Sequence, residues 1–220
     1  MSSQRVFMTG GTGYLGSRLI PLLLQRGHGV CALTRESSRD NLPAGCDPVI
    51  GDPLNSATFT GGMRGCDTMM QLVGVPKPSP WKGAQFRAVD RVSGLASIDA
   101  AKQTGVSHVI YVSVAHPAPI MQDYIAVRTE CERALRTSGL RATILRPWYI
   151  LGPGHWWPLF LMPAYWFCEQ IPSTRESACR LGLVALQQML RSLVWAVEHP
   201  PETVRVIEVP DIRAIGSRKR

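Results

Sequence analysis

The chain has 220 residues, 45% of them apolar and 18% charged, with a formal net charge of +8. That length supports one substantial hydrophobic core, and the composition excludes a disordered, collagen-like or repeat architecture. Four positive charges fall among the last eight residues (Arg213, Arg218, Lys219, Arg220), and no basic helix or aromatic-interleaved basic run is present, so no nucleic-acid partner is expected.

Arg5–Thr9 is a short apolar run closed by glycine, the pattern of a buried strand. From Gly13 to Arg26, Leu15, Leu19, Leu22 and Leu23 recur at helical spacing, with Pro21 as a source of bending and Gly27 as a stop. Strands follow at Val30–Thr34, Pro48–Ile50 and Thr68–Val73. A long helix is expected from Gln85 to Thr104, ended by Gly105. Val109–Ser113 is a β-branched and aromatic strand, Asp123–Thr137 a helix closing at Gly139, and Ala142–Leu145 a further strand. Alternating strands and helices predict an α/β Rossmann fold, a doubly wound parallel sheet covered on both faces. Beyond Pro147 the texture changes to an aromatic-rich C-terminal appendage. A helix is expected over Leu181–His199 and a strand over Val204–Val209. The single domain therefore divides into a dinucleotide-binding core (1–147), an appendage facing substrate or partner (148–210) and a frayed basic tail (211–220).

None of the six cysteines forms a Cys-x-x-Cys pair or stands at zinc-ligand spacing from a histidine. No metal is expected, and the thiols read as reduced residues of a cytoplasmic protein. The longest apolar stretch, Leu159–Cys168, is too short at about ten residues to span a bilayer. It is expected to be buried or to touch a protein partner or membrane surface.

The chemistry concentrates at Thr9–Gly16, Thr-Gly-Gly-Thr-Gly-Tyr-Leu-Gly, between strand and helix. Gly10 makes the tight turn, Gly13 leaves space for a pyrophosphate, and Gly16 lets helix close on sheet. The helix N-terminus contributes N–H groups and a positive dipole end. Gly10, Thr12, Gly13, Tyr14, Leu15 and Gly16 are thus the expected cradle. At the end of the second strand, Thr34 and Arg35 are placed to meet the ribose, with Arg35 facing a 2′-phosphate and Arg39, Ser37 and Ser38 assisting. NADP(H) is favoured on that ground. Glu36 is the competing acid that would suit NAD(H). Asp52 suits the adenine amino group, Gly74 a close approach of the adenosine ribose, and Pro147 the nicotinamide side.

These residues resemble the short-chain dehydrogenase/reductase superfamily, and more narrowly its atypical NmrA-like and epimerase-like members. The likeness rests on Thr9–Gly16, Gly51-Asp52, the strand ending in Ser113, Tyr124, Glu132…Leu135…Ser138-Gly139-Leu140, and Leu145-Arg146-Pro147 with Gly152-Pro153-Gly154. It covers about residues 5–155. In such proteins a serine, a tyrosine and a lysine four residues later carry the chemistry, the tyrosine exchanging a proton with substrate while hydride moves at the nicotinamide. The resemblance implies Ser113 as the group polarising the carbonyl and Tyr124 as the acid. Position 128 departs from it: Arg128 keeps the charge but does not give up a proton, and Val114 replaces a second small polar residue.

The expected activity is an NADP(H)-dependent oxidoreductase or isomerase of a small apolar carbonyl or quinone-like substrate. Trp148, Tyr149, His155, Trp156 and Trp157 are its candidate pocket walls. The alternative is a non-catalytic NADP(H)-binding regulator or accessory subunit.

Overall fold

The computed structural model describes residues 3–154 and 172–218. Seven strands form one parallel sheet: β1 (Arg5–Thr9), β2 (Gly29–Thr34), β3 (Asp47–Ile50), β4 (Thr68–Gln71), β5 (His108–Val112), β6 (Ala142–Leu145) and, after the second short sheet, β9 (Val204–Ile207). Their spatial order is β3-β2-β1-β4-β5-β6-β9. The order reverses between β1 and β4, which opens a crevice at their carboxyl ends, where doubly wound folds take their ligands.

Alternation along each strand sorts the core into two layers. Val6 and Met8 of β1 face α1 (Gly16–Gln25), α6 (Leu186–Glu198) and α7 (Val209–Ser217), through Leu19, Ile20, Leu23, Met189, Leu193 and Ile212. Phe7 points the other way, toward Phe59, Met63 of α2 (Thr60–Met63), and residues of α3 (83–104) and α4 (Gln122–Thr137) that include Ile98, Cys131 and Leu135. Pro21 is carried inside α1 without ending it. The helix expected over Gln85–Thr104 is present as α3 (83–104), and its segment Phe86–Arg91 winds as a π-helix before the α-helical Val92–Thr104.

Two expectations for the C-terminal part are corrected. Leu181–His199 is not one helix: Leu183–Ala185 is strand β8, which pairs in parallel with β7 (Tyr149–Leu151), and α6 begins only at Leu186. Pairing with β7 satisfies the backbone of this segment, and buried Leu183 and Val184 hold it in place. The tail is not frayed from residue 211. Val209–Ser217 is the helix α7, with Val209, Ile212 and Gly216 buried. A side chain at Gly216 would strike the Gln188 backbone of α6, so the two helices meet without one. The second described part opens with α5 (Pro172–Arg180). Leu159–Cys168 and the His155-Trp156-Trp157 group fall outside the described residues, as do their expected contacts.

At the amino ends of the strands, His108 is fully buried, with its Nε2 2.9 Å from Thr143 Oγ1. Burial, aided by the charges of Arg141 and Arg205, pulls its pKa down to about 4. The folded chain therefore holds His108 neutral while the unfolded chain protonates it near pH 6.5. Full stability is present above that value and is lost as pH falls toward about 4. Urea titrations from pH 7.5 to 4 should show a loss of about 3 kcal/mol traceable to this residue. In His108→Gln that component of the pH dependence should vanish.

Candidate active site

α1 starts at Gly16 on the turn that leaves β1. Gly10 sits at φ 74°, a backbone conformation open to glycine, and its amide neighbourhood lies against the Leu72 and Val73 backbone after β4. A Cβ at Gly16 would overlap the Gly10 carbonyl oxygen and stand 2.7 Å from Gly11 Cα. The first turn of α1 has no acidic residue and no side-chain cap, so its dipole end is left to an anion. These features fit a dinucleotide pyrophosphate. The glycines supply space, and the helix start supplies the donors.

The loop opens into a cleft of about 710 Å³, a size that takes a cofactor or a drug-sized ligand. It brings together Gly10, Gly13, Tyr14, Leu15 and Gly16 from the loop, Gly74 after β4, Ser113 after β5, Tyr124 and Arg128 of α4, and Pro147 after β6. Thr12, Thr34, Arg35 and Asp52 do not line it. Thr12 is exposed at the loop. Thr34 is buried, with its hydroxyl donating to the Arg35 carbonyl at 3.2 Å. Arg35 is exposed at the carboxyl end of β2, and Gly11 packs against Ala32 of that strand, so strand end and loop adjoin. Asp52 is exposed, and its Oδ1 accepts from the Leu54 N–H at 2.9 Å.

Arg128 is 5% exposed and is held by four groups. One terminal nitrogen donates to Asp90 Oδ1 at 2.6 Å. The other donates to the Val112 carbonyl at 3.0 Å and to the Tyr111 hydroxyl at 3.3 Å. Its guanidinium also lies over the Tyr124 ring, 5.0 Å from the centroid. Burial works against the cation, but Tyr124, Tyr111 and Asp90 outweigh it and hold Arg128 charged far above the usual range. Burial pushes the Asp90 carboxyl up, with Arg128 and the Val75 N–H opposing.

Asp90 was not marked by the sequence as a site residue. It comes from the π-helical segment of α3, together with Phe86, whose ring packs on Tyr124 at 4.8 Å. Its second oxygen accepts from the Val75 N–H at 3.0 Å, tying the loop after β4 to both helices. This pair also explains Gly74: a Cβ there would lie 2.6 Å from the Arg128 guanidinium and 3.1 Å from Asp90 Oδ1. The protein itself requires the missing side chain, whatever ribose approaches.

Ser113 does not present its hydroxyl to the cleft in the manner expected of a carbonyl-polarising group. It is 3% exposed and donates to Glu132 Oε1 at 2.5 Å. Arg146 grips both oxygens of Glu132 and reaches Glu208 at 2.8 Å. Burial pushes the Glu132 carboxyl up, but hydrogen bonds from Arg146 and Ser113 prevail, and it is held below the usual carboxylate range. The sequence missed this network because its members lie far apart in the chain. The cleft wall beyond Tyr124 is apolar, built from Val75, Pro76, Pro78, Trp148 and Ile150, with Lys77 as a nearby cation. The Lys82 ammonium donates to the Pro76 and Lys77 carbonyls and fixes this turn.

A family model described as NAD(P)H-binding matches residues 10–153. The chain belongs to this NAD(P)H-binding family. Among its relatives is the 4-hydroxy-2-methyl-3-oxo-4-farnesyl-3,4-dihydroquinoline-1-oxide ketoreductase of Stigmatella aurantiaca, 26% identical over 67% of this chain and 51% of that protein. Another is the ceramide reductase of Caulobacter vibrioides, 26% identical over 96% of this chain and 66% of that protein. The chain thus spans about half to two thirds of these relatives. The Bordetella bronchiseptica enzyme WbmH, solved with NAD+, superimposes with a TM-score of 0.71 at 22% identity, covering 94% of this chain and 76% of that one. A UDP-glucose 4-epimerase of Thermus thermophilus, solved with NAD, gives a TM-score of 0.68 at 18% identity, covering 96% and 80%. Both likenesses concern the fold that this family shares.

Removing one partner of the Asp90–Arg128 pair leaves a buried charge alone. Asp90→Ala should lower stability by about 3–5 kcal/mol. Adding Arg128→Met to it should restore much of that loss. Urea unfolding of the three proteins at pH 7 measures both effects.

Proposed function

We propose that the protein is an NADPH-dependent reductase of an apolar carbonyl compound, with Tyr124 as the proton donor. The observation that carries this reading is the place of Tyr124 in the same cleft as the glycine loop, its ring under the fixed charge of Arg128. When bound, the reduced nicotinamide supplies the hydride. The Tyr124 hydroxyl then gives its proton to the carbonyl oxygen as negative charge develops there. A proton from water replaces it, because Arg128 stays charged and does not relay one. With Ser113 committed to Glu132, polarisation of the carbonyl falls to Tyr124 alone. The apolar wall formed by Val75, Pro76, Trp148 and Ile150 favours a hydrophobic substrate, and the two reductase relatives carry names of lipid-like or farnesylated compounds.

The 2′-phosphate of NADPH is assigned to Arg35, which stands exposed beside the loop. A second reading, a binding module without turnover, is favoured by one feature: both groups that would assist Tyr124, at positions 113 and 128, are engaged elsewhere.

NADPH oxidation against hydrophobic ketones, aldehydes and quinones separates the two readings. Turnover that falls about 100- to 10,000-fold in Tyr124→Phe, with NADPH affinity kept, is the expected result for a general acid. Micromolar NADPH binding without turnover across the panel would favour the module.

Arg35→Ala should weaken NADPH about 10- to 100-fold, the worth of a charge-assisted contact. NADH titrated by the same fluorescence assay should change little. Equal losses for both nucleotides would remove Arg35 from the phosphate site.

A further inference from the structure

Away from the cleft, toward the amino ends of β1 and β4, two cysteines belong to one buried layer. Cys31 of β2 and Cys66, in the turn before β4, both belong to the apolar layer under α2 and α3. Both are free thiols, and Arg5 spans the two places: its side chain reaches Cys31, and its backbone N–H donates to Asp67 Oδ2, next to Cys66 in sequence, at 2.7 Å. The Arg5 guanidinium donates through Nε to Cys31 Sγ at 3.3 Å. Asp47 stands 3.9 Å from the same sulfur and is itself paired to Arg5 at 3.3 Å. Cys31 and Cys66 are 2% and 7% exposed, whereas the Arg5 and Asp47 side chains that touch the Cys31 sulfur are 53% and 72% exposed. An exposed ion pair thus lies against that sulfur.

A thiol beside a cation and a second thiol is the arrangement that makes a reactive thiolate with a resolving partner. We propose that Cys31 is a peroxide-reactive thiolate that closes a reversible disulfide with Cys66. In the first step the Cys31 sulfur attacks one peroxide oxygen. The O–O bond breaks, and hydroxide leaves and is protonated to water, giving a sulfenic acid. In the second, the Cys66 sulfur attacks the Cys31 sulfur, the S–O bond breaks, and the departing hydroxide takes the Cys66 proton as a second water. Two thiols lose two electrons, and hydrogen peroxide gains them.

The charges around the pair agree with this direction. The hydrogen bond from Cys66 is the largest influence on Cys31. Burial and Asp47 oppose it, the Arg5 contact adds to it, and the Cys31 thiol is pulled down to about 6. Cys66 is pushed up by the same contact and by burial, with Asp67 adding and Arg5 opposing, so it keeps its proton until the second step. Cys46 also senses the negative charge on Cys31, and its own thiol is raised, chiefly by burial. It therefore serves as an internal comparison.

The full chain, reduced and then treated with hydrogen peroxide, should lose about 2 Da, with one cross-linked peptide joining Cys31 to Cys66. Dithiothreitol should reverse the change. Alkylation of Cys31 by iodoacetamide should rise with a midpoint near 6, well ahead of Cys46. In Cys66→Ser, peroxide should leave a dimedone-reactive sulfenic acid at Cys31. Arg5→Leu, at an exposed position that tolerates change, should move the alkylation midpoint up toward an ordinary thiol and slow the cross-link. A Cys31 that reacts no faster than Cys46, or peroxide that yields only sulfinic and sulfonic acids with no Cys31–Cys66 peptide, overturns the proposal. Because neither cysteine lines the cleft, either result leaves the reading of Tyr124 untouched.

Discussion

The first turn of α1 rests directly on the turn that leaves β1, backbone against backbone, and the rest of the site follows from that contact. No Cβ fits at Gly16, and the positive φ of Gly10 brings the chain around to meet it. The contact sets the direction of α1. It aims the helix start at the crevice between β1 and β4, and it presents Tyr14 and Leu15 to the cleft. It also fixes the phase of the helix, so that Leu19, Ile20 and Leu23 meet α6. An alanine at Gly16 would push the helix off the sheet and spoil the core and the anion site together.

The second fixed point is the buried ion pair of Asp90 and Arg128. Taking two charges out of water costs several kcal/mol each, and attraction alone does not always recover it. Here the remaining polar atoms are largely satisfied: Asp90 also accepts from Val75, and Arg128 also donates to Val112 and Tyr111. The pair joins four segments: the loop after β4, the π-helical segment of α3, the end of β5 and α4. A lysine would carry the same charge as a compact ammonium. The planar fork of arginine reaches Asp90 on one side and Val112 with Tyr111 on the other. The departure from the family pattern at position 128 is thus a change of architecture as well as of acidity.

Much of the fold was legible because it follows local periodicity. The strands of the core and the helices on its faces appear within a few residues of where alternation and helical spacing put them. The glycine loop was legible for the same reason, since each glycine answers a local geometric need. What escaped depends on contacts far apart in the chain. Asp90 lies 38 residues from Arg128 in sequence, and nothing around it marks a partner. Ser113 read as a catalytic hydroxyl because its position matches the family, yet its orientation is decided by Glu132, 19 residues on. The strand at Leu183–Ala185 was masked by the apolar run that continues into α6, and only its pairing with β7 distinguishes the two. The tail read as frayed because it is basic, but Val209, Ile212 and Gly216 are buried on α7.

The two buried networks have a common effect on the chemistry of the cleft. Ser113 is fixed through Glu132 and Arg146 to Glu208, the residue from which α7 starts. Arg128 is fixed through Asp90 to the loop that carries Gly74 and Val75. Groups so committed do not reorganise as charge develops on a substrate, and such preorganisation lets a fixed field act in a low-dielectric site. Neither is free to move a proton. Proton transfer is therefore separated from electrostatic support: the surroundings hold charge in place while the phenol of Tyr124, packed between Phe86 and the Arg128 guanidinium, remains at the wall of the cleft. On the proposed reading, each new proton for the phenol comes from water entering the cleft, because neither network supplies one.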